Sequence, residues 1–213
     1  MTRSRVLLAD DHHMMTEGLV RLLGDEFELV SVVDNGRDMV AAAKNLRPDV
    51  IVADISMPIL NGIDALAQLK ADNPEVKVVF LTMHHDAHYA RRALEAGAVG
   101  YVLKHSAHVE LMMAIRAALS GNTFVTPTLS AKVFQMTRRP PAADGDPTRA
   151  VTERQREILQ LLAEGCSAKI IAHTLGISAR TVEFHKYNMM EAFNLRSSAE
   201  LILFAIKRGI VSV

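Results

Sequence analysis

The sequence predicts an α/β domain followed by an all-α domain. The first, residues 1–122, is expected to be a doubly wound, five-stranded parallel sheet; residues 123–148 are expected to link it to a four-helix domain at 149–213. Three observations predict this. Short β-branched runs alternate five times with helical periodicity. A Pro140-Pro141-Ala142-Ala143-Asp144-Gly145-Asp146-Pro147 stretch then breaks all periodicity. Beyond it, four short apolar stripes each follow a helix-capping residue.

The strand runs are Val6-Leu7-Leu8-Ala9, Leu29-Val30-Ser31-Val32-Val33, Val50-Ile51-Val52-Ala53, Val76-Lys77-Val78-Val79-Phe80-Leu81 and Tyr101-Val102-Leu103. Most do not alternate apolar with polar residues, as expected for parallel strands covered on both faces. Helical patterns lie near 14–24, 36–46, 62–72, 87–96 and 107–120, and a further helix is possible near 128–136 within the linker. Strand then helix, repeated, gives a parallel sheet with right-handed crossovers.

In the last part, Thr152-Glu153-Arg154-Gln155 is a capping box ahead of the stripe Ile158, Leu161 and Leu162. Gly165 ends that helix. Ser167 caps a second helix striped by Ile170, Ile171 and Leu175 and ended by Gly176. Ser178 caps a third, about 179–193, striped by Val182, Met189 and Phe193. Ser197-Ser198-Ala199-Glu200 opens the fourth as a second capping box, with Leu201, Phe204 and Ala205 facing inward.

The 24 Lys and Arg balance the 24 Asp and Glu, but not evenly along the chain. Residues 1–122 hold 12 basic against 16 acidic side chains, residues 123–150 hold 4 against 2, and residues 151–213 hold 8 against 6. An acidic first domain is thus offset by a mildly basic remainder. The single cysteine, Cys166, excludes an intrachain disulfide and a cysteine-based structural zinc site, and it fits a reducing compartment. The start, Met1 to Leu8, is too short an apolar stretch for a secretion signal, and no run approaches the roughly 20 apolar residues of a membrane span. The expectation is a soluble, cytoplasmic protein with no membrane partner.

Ligands of open parallel sheets bind beyond the carboxyl ends of the strands. Asp10-Asp11 ends the first run, Asp54 the third, Thr82 the fourth and Lys104 the fifth. Three carboxylates together call for a hard cation, and Mg²⁺ takes oxygen ligands while sharing its site with a phosphate. Lys104 suits phosphate as a point charge, and the Thr82 hydroxyl can donate to it. One carboxylate is then left to act as a nucleophile and form an acyl phosphate.

These residues carry a resemblance to the receiver domain of bacterial two-component response regulators. The matching positions are Asp10-Asp11, Asp54 followed by Met57-Pro58 and Asn61-Gly62, Leu81-Thr82, and Gly97 to Lys104. The resemblance covers about residues 4–121. It implies a flavodoxin-like receiver in which Asp54 accepts a phosphoryl group from a histidine kinase. It implies a Mg²⁺ site of Asp10, Asp11, Asp54 and the Ser56 carbonyl, with Thr82 and Lys104 contacting phosphate and Tyr101 changing rotamer on activation. Two positions depart from the family pattern: His13 replaces the usual proline, and Met83 replaces a smaller residue and is expected to narrow access to Asp54. His84, His85 and His88 are expected to be a solvated loop and helix start, since no third metal ligand is evident beside the His84–His88 spacing.

Helix, short glycine turn, helix is the helix-turn-helix pattern, whose second helix is expected to enter the major groove, although the residues alone fit a small helical protein-binding bundle nearly as well. Here that helix begins Ser178-Ala179-Arg180. Thr181, His185 and Asn188 fall at helical spacing, Arg180 and Lys186 can reach phosphates, and Val182 is counted with them among the expected DNA contacts. Leu161 to Gly165, Ile171-Ala172, Leu175 to Ser178, Arg180-Thr181-Val182 and His185-Lys186 resemble the LuxR-type DNA-binding domain. The two resemblances together are those of a NarL/FixJ-type response regulator. They imply a transcription regulator that binds promoter DNA as a homodimer when phosphorylated, and that catalyses only its own phosphorylation and dephosphorylation.

Ile170 stands where the family has Glu, which removes half of a capping box worth about 1 kcal/mol or less. Glu191-Ala192 replaces the usual Arg-Lys, so monomeric DNA binding is expected to be weak. The competing reading is a phosphorylation-controlled protein-interaction switch that binds DNA weakly or not at all. A Mg²⁺-dependent phosphohydrolase is disfavoured because Ser56 occupies the position two residues after Asp54 where such enzymes place a second Asp.

Overall fold

The computed structural model describes residues 3–138, 151–207 and 210–211, and the chain divides into two compact units, Met1–Ala142 and Ala143–Val213. In the first, the strands are β1 (Arg5–Ala9), β2 (Glu28–Val33), β3 (Val50–Ala53), β4 (Val78–Thr82), β5 (Gly100–Leu103) and β6 (Phe124–Val125). The helices between them are α1 (His13–Gly24), α2 (Gly36–Leu46), α3 (Gly62–Asp72), α4 (Ala87–Glu95) and α5 (Ala107–Leu119), followed by α6 (Pro127–Arg138). All neighbouring strands are parallel, in the order β2-β1-β3-β4-β5-β6.

Successive residues of each central strand point to opposite faces, and each face has its own apolar core. Leu7, Ala9, Ile51, Ala53, Val78, Phe80, Tyr101 and Leu103 join α2, α3 and α4 on one side. Val6, Leu8, Val50, Val52, Val79, Leu81 and Val102 join α1 and α5 on the other. Burial on both faces is why these runs lack polar alternation.

The expectation of five strands ending at a linker from residue 123 needs correction. A sixth, two-residue strand pairs with β5, Gly100 opposite Phe124 and Tyr101 opposite Val125. The buried Thr126 hydroxyl donates to Glu110 Oε2 at 2.6 Å and accepts the Leu103 N–H at 3.1 Å. Leu129 and Val133 of α6 enter the same core as Ala87, Ala90 and Ala93 of α4. Residues 124–138 therefore complete the first unit; the proline-rich stretch itself lies outside the described residues. Two residues are too short a run to register as a strand without a neighbour to pair with.

The second unit holds α7 (Glu153–Ala163), α8 (Ala168–Leu175), α9 (Ala179–Ala192) and α10 (Ser198–Lys207). The Thr152–Gln155 capping box forms in both directions. Ser167 and Ser178 accept from Ile170 and Thr181 N–H groups, and Gly176 closes α8 in the left-handed conformation at φ 65°. The second box is only half made: Ser197 Oγ accepts from Glu200 N–H, but the Glu200 carboxylate turns to the Arg196 N–H at 2.8 Å. Ile158, Leu161, Ile171, Leu175, Val182, Met189, Leu201 and Ala205 form the core. Among the described residues no helix is long and apolar enough to cross a membrane.

Gly62 opens α3 directly beneath β3. A Cβ there would lie 2.2 Å from the Asp54 carbonyl oxygen and 2.9 Å from Phe80 Cε1. Neither a backbone carbonyl nor a packed ring can withdraw cheaply. Gly62→Ala is expected to lower stability by about 1–3 kcal/mol, read as a lower urea midpoint at unchanged slope. An unchanged midpoint would show that the α3 entry is pliable.

Candidate functional site

The strand order reverses between β1 and β3, because the chain goes first to β2 on one side and then to β3 on the other. A crevice opens at such a switch point. Asp10 follows β1 and Asp54 follows β3, so the topology itself sets the two carboxylates side by side. Lys104 arrives from the end of β5. Asp10, Asp54 and Lys104 are all buried, at 2%, 2% and 7% exposure, which makes their mutual pairing obligatory.

Lys104 Nζ lies 2.7 Å from Asp54 Oδ2 and 2.9 Å from Asp10 Oδ2. Asp54 Oδ1 accepts the Ile55 N–H at 2.6 Å and the Ser56 N–H at 3.4 Å. Burial, opposed by the Lys104 ammonium, pushes the Asp54 carboxyl above the usual carboxylate range. Burial alone would lower Lys104, but Asp54 and Asp10 outweigh it and hold its ammonium above the ordinary value. Asp11 stands beside them, and ligand atoms of Asp10, Asp11, His12 and Asp54 all fall within 4.8 Å of one another. Asp10 Oδ2 and Asp11 Oδ1 are shut off from solvent and accept no aligned hydrogen bond. Sequestered carboxylate oxygens in surplus over their donors fit a hard divalent cation.

His12 was not foreseen at the site. Its Nδ1 lies 3.0 Å from Asp10 Oδ1, 2.9 Å from Asp11 Oδ1 and 3.7 Å from Asp54 Oδ2. Adjacency to Asp10-Asp11 was the available signal. His13 starts α1, at the first-turn position where proline is well tolerated.

Thr82 ends β4 fully buried, and its Oγ1 accepts the His84 N–H at 3.3 Å. Tyr101 is also fully buried, with its hydroxyl donating to the His84 carbonyl at 2.8 Å. Burial holds the Tyr101 phenol far above its ordinary value. His84 is half-buried rather than solvated: its ring stacks on Tyr89 with centroids 4.2 Å apart, and Nε2 lies 2.8 Å from Ser56 Oγ. Burial keeps its imidazole below the ordinary value, against the pull of Asp54 and Asp86. His85 stacks on His105 instead, and the His88 N–H is capped by Asp86, so the three histidines form no metal group. Met83 points outward at 61% exposure.

In the second unit Val182 is fully buried in the core, so it anchors α9 and cannot meet a base. Thr181, His185, Lys186 and Asn188 are half-buried, and Lys186 Nζ is paired with Glu183 Oε2 at 2.5 Å. Arg180 is exposed. The exposed face of α9 also carries Phe184 and Tyr187, which helical spacing alone did not single out.

A carboxylate–lysine crevice on a doubly wound sheet, joined to a helix-turn-helix unit, defines a phospho-receiver coupled to a nucleic-acid reader. Residues 6–116 match the response regulator receiver domain family, and residues 149–205 match the luxR family of bacterial regulatory proteins. The chain belongs to the NarL/FixJ-type response regulators. It is 32% identical to the oxygen regulatory protein NreC of Staphylococcus carnosus (strain TM300), over 97% of this chain and 99% of that one. It is 31% identical to the transcriptional regulatory protein DegU of Brevibacillus brevis, over 98% and 95%. Among solved structures, the Salmonella typhimurium response regulator RcsB shares the fold at a TM-score of 0.65 and 22% identity, over 98% of this chain and 99% of that one.

Because Asp54 is raised by burial, its contribution to stability is complete at low pH and is lost as pH rises through its folded value. At neutral pH its charge is a cost. Asp54→Asn is expected to raise the melting temperature at pH 7 in a chelator by roughly 2–4 °C, the equivalent of about 1 kcal/mol in a unit of this size. The gain should shrink as pH falls towards about 4. A variant that melts at or below the parent at pH 7 would contradict this.

Proposed function

We propose that this DNA-binding response regulator is switched by phosphorylation of Asp54, with phosphoryl groups supplied by a histidine kinase. The observation that carries the proposal is the Asp54 carboxylate, buried and yet held at both oxygens, by Lys104 on one side and by the Ile55 N–H on the other. Asp54 Oδ2 attacks the phosphorus of a phosphohistidine. The new P–O bond forms as the P–N bond breaks, and the leaving imidazole takes up a proton. Asp10, Asp11, Asp54 and the Ser56 carbonyl would hold Mg²⁺, which when bound neutralises charge on the transferring group. Lys104, already beside Asp54, offsets the added charge, and the Thr82 hydroxyl donates to the phosphoryl oxygens.

Engaging the Thr82 hydroxyl pulls it from the His84 N–H. His84 is also the residue whose carbonyl holds the Tyr101 hydroxyl. Phosphate at Asp54 therefore loosens the buried Tyr101 through a single shared residue, and the surface along β4, α4 and β5 changes with it. The 1–122 receiver then licenses pairing of two chains, and the 149–213 domains bind promoter DNA through α9, with Arg180 and Lys186 towards phosphates and Thr181, His185 and Asn188 on the flanks. RcsB, which shares the fold, is captured as dimers on DNA. A soluble, cytoplasmic location accords with a kinase and a promoter as partners.

The test uses a small phosphodonor. Intact mass should show one phosphoryl group on the parent chain in Mg²⁺, none in a chelator and none on Asp54→Asn. Phosphorylated parent should retain genomic fragments that Asp54→Asn does not. Phosphorylation of Asp54→Asn, or equal retention by both chains, would sink the proposal; failure of both to retain DNA would favour a protein-interaction switch.

A further inference from the structure

The face of α9 that the core leaves outside is chemically unlike a phosphate grip. Val182 and Met189 fix the rotation of the helix by burying its inner side. That leaves Arg180, Glu183, Phe184, Tyr187 and Glu191 exposed, at spacings of three and four residues and so on one stripe. Phe184 is 61% exposed and Tyr187 69%. Arg180 is the stripe's one basic residue. Glu183 already engages the neighbouring Lys186 at 2.5 Å, and Glu191 adds a second negative charge. Two exposed aromatics three residues apart form an apolar patch rimmed by charge, the kind of surface that marks an interaction site.

The position of the stripe decides the partner. The second helix of a helix-turn-helix lies in the major groove with its N-terminal turns against base edges. Arg180, Glu183 and Phe184 lie in the first two turns of α9, and Tyr187 follows. In that groove only thymine presents an apolar group, its C5-methyl. Resting on the assignment of α9 as the DNA-reading helix, we infer that Phe184, supported by Tyr187, is a specificity-determining residue that recognises thymine methyl groups by apolar contact. Ionic attraction to phosphate has a minor share on this face, since its acids outnumber its one base. The Tyr187 phenol suits the groove wall, where its ring packs and its hydroxyl can donate to a phosphate oxygen.

The experiment selects bound duplexes from a random pool with the full chain, phosphorylated, and then replaces each thymine of the selected site by deoxyuridine, which deletes the methyl group and keeps base pairing. At one or two thymines per half-site, the uracil duplex should bind about fourfold more weakly, the worth of one buried methyl. The gap should persist as salt is raised, because methyl contact releases no counterion. Phe184→Ala, a change at an exposed position, should bind thymine and uracil duplexes equally, whereas Phe184→Leu should keep part of the gap. Equal binding of the two duplexes by the parent, or an undiminished gap in Phe184→Ala, overturns the inference while leaving DNA binding intact. A chain that selects no duplex in either phosphorylation state overturns the inference together with the reading it rests on, and makes the stripe a protein-docking face.

Discussion

The buried Lys104 ammonium, shared between Asp10 and Asp54, is the constraint on which the first unit turns. These three side chains come from the ends of β1, β3 and β5, so one ionic contact ties together three strands of a single sheet. Each partner is almost wholly removed from water, and a buried charge is tolerable only while paired. The pairing is nevertheless incomplete, because three carboxylates face one lysine and one imidazole. That surplus of negative charge makes the crevice receptive to a divalent cation. Burial, with a smaller push from Asp10, makes Asp54 expensive to keep charged. The resting crevice thus holds an unrelieved electrostatic cost.

In the proposed switch, His84 carries that local chemistry to other parts of the unit. It bonds to Thr82 through its backbone N–H, to Tyr101 through its carbonyl and to Ser56 through its ring. Its stacking on Tyr89 extends the connection into α4. Packed hydrogen-bonded side chains of this kind favour discrete arrangements over continuous drift, which is what a two-state switch requires. In the second unit the division of labour is simpler. Caps at Thr152, Ser167 and Ser178 set where α7, α8 and α9 begin, and Val182 and Met189 set which way α9 faces.

Much of this was legible in the sequence. The apolar runs, the carboxylates at their ends and the capping serines are local signals, and the structure places the resulting strands and helices where those signals put them. β6 was missed because a two-residue strand has no period of its own. His12 went unnoticed and His84 was expected to be solvated, because histidines in loops have no pattern that distinguishes a solvated ring from one folded back onto a carboxylate or a tyrosine. Val182 was placed among the DNA contacts because it lies within a motif, while burial shows it to be core.

The sequence by itself determined the order of elements, their caps and the acidic, phosphate-ready rim, because propensity, periodicity and chain order suffice for these. Only the tertiary structure decided how far the first unit extends, which histidines enter the site and which aromatics α9 leaves exposed. Each of these depends on what packs against the residue from a distant part of the chain. Helix α9 carries apolar residues on both its inner and outer sides; the stripe of Val182 and Met189 was legible in the sequence, but the outward Phe184 and Tyr187 were not singled out by it. Packing of Val182 and Met189 into the core turns Phe184 and Tyr187 outward.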